Sequence, residues 1–160
     1  MQADLPARPD LAPAPKKRRL GAIIASVVGG LIVLGAIGSL VDTEEPSSGP
    51  TAGDTMTRQE ALNAAGPIAT ESSRELTAAS EALDQLDVAG ALPHIQAAAD
   101  LTDQAAALFV GVDAEMEGYL SSAAGHYRAS AAALQAQDYD TAAAEMNAAS
   151  DDIDAATAAI

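Results

Sequence analysis

Residues 20–41, LGAIIASVVGGLIVLGAIGSLV, contain no charged side chain, and Lys16, Lys17, Arg18 and Arg19 stand immediately before them. At a rise of 1.5 Å per residue this run makes a helix of about 33 Å, against a bilayer core of about 30 Å. A helix inside a water-soluble domain is rarely apolar on every face over such a length. The run therefore predicts a transmembrane helix over residues 20–41. Asp42, Glu44 and Glu45 follow it. Flanking lysines and arginines are retained on the cytoplasmic side of a membrane. The expected topology is then a cytoplasmic N-terminus with residues 42–160 outside the cytoplasm. Ala36 and Gly38, two positions apart, offer a rival reading as a signal-peptide cleavage site removing residues 1–38. The length of the apolar run favours retention. Within it, Gly21, Ala25 and Gly29 form one row of small residues, and Ala22, Ser26 and Gly30 form its neighbour. Such rows let two membrane helices approach closely, which points to a homo-oligomer.

The charge is divided unevenly. Residues 1–41 carry a formal +3 and residues 42–160 a formal −18, within a total of −15. So acidic a segment is repelled by phosphate, which excludes nucleic acid as a partner. The absence of cysteine excludes a disulfide framework, a thiol nucleophile and a thiolate metal site. Pro6, Pro9, Pro13 and Pro15 mark residues 1–19 as a disordered tail. Pro46, Gly49, Pro50 and Gly53 mark residues 42–56 as a flexible linker. Residues 57–160 remain as an acidic, alanine-rich helical domain.

Thr57 followed by Glu60 matches a capping box opening a helix. Gly66 and Pro67 predict an interruption after Ala65. Ile68, Leu76, Ala79, Leu83 and Leu86 then mark a helix, the last four falling on one stripe and the element ending near residues 88–90. A long stripe follows from Ile95 through Ala98, Thr102, Ala105, Phe109, Val112, Met116, Leu120, Ala123, Tyr127 and Ala131 to Leu134. It fits one helix over residues 92–137. Gly111, Gly118 and Gly125 weaken that reading, and Asp113 can instead cap a second helix. Ala142, Met146, Ala149, Ile153 and Ala156 predict a last helix over residues 141–159. The fold class expected is all-α: a single transmembrane helix plus an extracytoplasmic antiparallel bundle of three or four helices.

The stretch QAQDYDTAAAEMNAA, residues 135–149, resembles the connection and second helix of a tetratricopeptide repeat. That repeat's early tryptophan–leucine–glycine pattern is absent, and no second copy stands at its period. We read the resemblance as shared helix-turn-helix composition.

Chemistry-bearing patterns are sparse. His94 and His126 have no acidic residue three or four places away, and neither belongs to a HExxH or ExxH pattern. They are the weak metal candidates in a chain for which no metal or other cofactor is expected. Asp113, Glu115 and Glu117, like Asp151, Asp152 and Asp154, read as solvated faces. Arg74 can pair with Glu71 one turn back, and Arg128 invites a partner on another helix. Phe109, Met116, Tyr119 and Tyr127 are the candidates to line a groove for a partner or ligand. The expectation is a non-enzymatic, single-pass membrane protein with an extracytoplasmic helical interaction module in an accessory, scaffold or regulatory role. Its expected partners are the lipid bilayer and a membrane or envelope protein. The alternative is a tethered or secreted ligand- or metal-binding protein.

Overall fold

The computed structural model describes residues 56–160. Four α-helices account for nearly all of them: α1 (Arg58–Asp84), α2 (Val88–Ala107), α3 (Ala114–Gln135) and α4 (Tyr139–Ala158). Each helix packs on the one that follows it in the chain, and no other pair of these helices makes comparable backbone contact. The short connections reverse the chain each time. The two hairpin turns therefore share one end of the assembly, and the α2–α3 connection lies at the other.

Local sequence explains each boundary. Thr57 accepts from the Glu60 amide while the Glu60 carboxylate accepts from the Thr57 amide, completing the capping box. Asp87, Asp113 and Asp138 cap the next three helices with their side chains. Asp113 decides the question of the long stripe. It accepts from the amides of Glu115 and Met116, and Gly111 supplies a left-handed residue (φ 72°) in the connection before it. Residues 92–137 are thus two helices. Gly118 and Gly125 lie inside α3.

Three expected boundaries are corrected, the first being that α2 begins at Val88 and not at residue 92, with Pro93 inside it. Gly66 and Pro67 do not interrupt α1, because its buried face runs unbroken across them through Leu62, Ala65, Gly66, Ala69 and Leu76. That packing offsets the lost backbone hydrogen bond and the ring clash, about 3 kcal/mol in a helix interior. At the other end α1 stops at Asp84, and Leu86 leaves the apolar stripe to sit half exposed in the turn.

One core joins all four helices. Leu76, Ile95, Phe109, Met116, Leu120, Tyr127, Leu134, Met146 and Ile153 are fully buried, and alanine fills most positions between them. Small side chains let helix axes approach closely, so a core poor in large residues can still be dense. Buried hydroxyls are bonded across helices: Ser72 donates to the Ala98 carbonyl, and Ser130 to that of Ala142.

The two hairpins, α1–α2 and α3–α4, repeat one another at a spacing of 51 residues. Helices α2 and α4 are each 20 residues long and begin at Val88 and Tyr139. Leu86 and Gln137 both adopt left-handed backbone, with φ of 62° and 60°. The Asp87 amide donates to the Ala82 carbonyl and the Asp138 amide to that of Ala133, each at 2.9 Å. Leu83 corresponds to Leu134, Ala91 to Ala142, Ile95 to Met146 and Ala98 to Ala149. A second copy of the hairpin is therefore present, at a longer period than that of a tetratricopeptide repeat.

The membrane expectation is also corrected. Among the described residues no helix is long and apolar enough to cross a membrane. The physical reason is visible in each one: a single buried stripe backed by an exposed polar face carrying residues such as Glu71, Asp100, Glu115 and Asp151. The architecture established is a four-helix all-α assembly. Residues 20–41, with Lys16, Lys17, Arg18, Arg19, Gly21, Ala22, Ala25, Ser26, Gly29 and Gly30, lie outside the described residues. The single-pass topology, the bilayer and envelope partners and the homo-oligomer find no support and are carried no further.

Candidate functional site

The hairpins meet along the seam between α2 and α3. Two open clefts of about 390 Å³ each lie along it. Gln96 and Asp100 of α2 face Arg128, Ala131, Ala132 and Gln135 of α3 in the first. The second lies at the turn end, among Leu86, Val88, Ala89, Leu92, Leu134, Gln137 and Tyr139, and Gln135 lines it too. The clefts adjoin through Gln135. From Val88 to Asp100 the α2 side of this groove spans about 18 Å.

Its two halves differ in chemistry. Arg128 crosses the seam to Asp103 at 2.6 Å and Asp100 at 3.0 Å. The hydrogen bond it donates to Asp100, then that to Asp103, holds the guanidinium above its ordinary pKa. Two carboxylates against one cation leave this half negative. The turn half has no charged lining residue and sets Leu86, Val88, Leu92 and Leu134 beside Gln135, Gln137 and Tyr139, and Asp84, Asp87, Asp138 and Asp140 adjoin it in the chain. Helices α1 and α3 also end here with no basic residue in their last turns. Their carbonyl ends are opposed by the amide ends of α2 and α4, which start here, so the aspartates set the sign of the potential.

All three arginines in the described residues are engaged. Arg58 donates to Asp113 at 2.7 Å and to the Ala159 carbonyl at 2.6 Å, fastening the start of α1 to the start of α3 and the end of α4. Arg74 pairs with Glu71, as its spacing predicts, and Arg128 has the cross-helix partners it invited.

The histidines act within hairpins. His94 Nδ1 lies 2.7 Å from Glu75 Oε2, and His126 Nδ1 lies 2.7 Å from Glu145 Oε2. Both pairs join residues 19 apart, and the spacing of 51 maps Glu75 onto His126 and His94 onto Glu145. The same bridge is built twice with its partners exchanged. Across the other edge of the ring, His126 Nε2 stands 3.7 Å from Asp152 Oδ2. No group of three or more His, Cys, Asp or Glu side chains among the described residues could hold a metal ion. The metal alternative is overturned for His94 and His126: each imidazole is committed to a carboxylate from its own hairpin.

The proposed groove-lining set is corrected as well. Phe109, Met116 and Tyr127 are fully buried in the core and line no open groove. Tyr119 is half buried, and its hydroxyl donates to Glu115 at 3.1 Å. That bond, with the Glu115 charge, holds its phenol above the ordinary pKa. The aromatic ligand site expected from these residues is therefore absent, and the ligand-binding alternative falls with it. Tyr127 is pushed much further up by burial, with the Asp152 charge adding to the effect. The Tyr127 hydroxyl and Asp152 Oδ2 are buried without a hydrogen-bond partner. Leu76 and Leu101 hold the corresponding positions in the first hairpin.

Sequence reasoning missed the seam groove because its residues belong to no motif. The available signal was Leu86, an apolar residue in a stretch, DQLDV, that also contains two aspartates. No family model, curated protein or solved structure matches the chain.

Proposed function

We propose that residues 58–160 form a non-catalytic recognition module that seats a short cationic polypeptide segment along the α2–α3 seam. The observation that carries this reading is the excess of carboxylate at one end of the groove: Asp100, which lines it, and Asp103 share the one cation, Arg128. A lysine or arginine of a partner enters that field favourably, and an acidic segment is repelled. An extended segment of about five or six residues spans the groove. The His–Glu pairs recur at corresponding places with their partners exchanged, each joining the two helices of its own hairpin.

The repeat supplies its own control. Asp100 and Asp103 correspond to Asp151 and Asp154, which lie exposed on α4. The full-length chain is titrated into a labelled ten-residue leucine–lysine peptide and its leucine–glutamate counterpart. The reading expects binding of the first alone, weakened about tenfold by Asp100→Asn with Asp103→Asn and little by Asp151→Asn with Asp154→Asn. Equal weakening by both pairs would mean that bulk charge alone attracts the peptide, and the reading would fail.

A further inference from the structure

Leu86 is a large apolar side chain, 49% exposed, held at φ 62° in a three-residue turn. Left-handed backbone suits glycine or asparagine and is uncommon for a bulky residue. The turn itself does not ask for leucine. Its counterpart Gln137 adopts φ 60° with the same pattern of backbone hydrogen bonds. Nor is leucine there to fill the core, which it leaves half exposed. The same comparison applies to Leu92, whose counterpart is Ala143. The first hairpin thus places leucine where the second has glutamine and alanine, and both leucines line the turn-end cleft with Val88 and Tyr139.

We infer that this cleft is an anchor pocket for one leucine-sized apolar side chain of the cationic segment proposed above. The inference rests on that reading and adds its specificity: an apolar anchor at the turn end, with lysine or arginine reaching Asp100 and Asp103. Charge complementarity selects the occupant. Asp84, Asp87, Asp138 and Asp140 adjoin the leucine-lined floor in the chain, and no basic residue lines it or adjoins it in the chain, so an apolar residue flanked by cations fits it. An apolar residue flanked by acids does not.

The test substitutes residues that the second hairpin already carries at these places. Leu86→Gln and Leu92→Ala are made in the full-length chain, with circular dichroism and thermal unfolding to establish that both fold. Each is titrated with the labelled leucine–lysine peptide and with a glutamine–lysine peptide of equal length and charge. The expected result is that the wild type prefers the leucine peptide by about tenfold and that Leu86→Gln abolishes the preference. Leu92→Ala reduces it, and binding of the glutamine peptide is unchanged by either. If the wild type binds both peptides equally, the anchor pocket is wrong while cationic recognition stands. If it binds neither, the parent reading fails and takes this inference with it.

Discussion

Tyr127 carries a hydroxyl that the fold buries without a hydrogen-bond partner; Asp152 Oδ2 is also without a hydrogen bond but stands 3.7 Å from His126 Nε2. Leaving such a group unbonded costs about 1–3 kcal/mol. Tyr127→Phe keeps the ring in place and removes the cost, so the variant should unfold at the same temperature as the wild type or a higher one. A loss of several degrees would show that the hydroxyl is bonded and contributes to the fold. Two glycines invite the opposite kind of change. A Cβ at Gly118 or Gly125 meets nothing within 4 Å, and both residues lie inside α3. Alanine there should raise stability by about 0.5–1 kcal/mol per site, read from denaturant unfolding. Gly111 also has open space but sits at φ 72°, so alanine at that position should lower stability by a similar amount.

At the scale of elements, the caps and the Arg58 contact set the acid sensitivity. The Arg58 guanidinium, and then the amides capped at α3, hold the Asp113 carboxyl below its ordinary 3.8. A carboxyl lowered on folding contributes stability above its unfolded pKa and loses it as the pH falls through the folded one. Asp113→Asn retains a capping side chain but gives Arg58 no charge. The variant should therefore melt below the wild type at neutral pH, with the difference shrinking below roughly pH 4. A difference independent of pH would show that the Arg58 pairing contributes nothing. Much of this level was legible in the sequence. Thr57 with Glu60 marked the first cap, Asp113 the third, and the stripe from Ala142 to Ala156 emerged buried at every position. Pro67 misled because local propensity cannot weigh the packing of a face that continues past it. Leu86 misled because its spacing fits the stripe, whereas Asp87 ends the turn by capping the next helix.

Residues 58–158 are one hairpin used twice. The repetition is hidden in the sequence because few side chains persist: Tyr127 stands where the first hairpin has Leu76, Asp152 where it has Leu101, and the Glu75–His94 bridge reappears inverted. What the copies retain is geometry, in the positions of the left-handed residue, the aspartate cap and the alanines at the helix contacts. Doubling also creates the seam, which neither hairpin has alone. No sequence motif marks it, because its residues come from two helices that belong to different copies. The copies therefore serve as controls for one another. Residues that differ between them at exposed places, as Leu86 against Gln137, are candidates for recognition, and so are recurring residues whose surroundings differ, as Asp100 and Asp103 against Arg128 at the seam differ from Asp151 and Asp154 exposed on α4. The measurement that tests this account most directly is amide chemical-shift mapping of the isotope-labelled full-length chain with the leucine–lysine peptide. The account expects the shifts to concentrate at Leu86, Leu92, Gln96, Asp100, Arg128 and Gln135, along the groove. Shifts spread over the acidic faces of α1 and α4, with the seam unmoved, would contradict it.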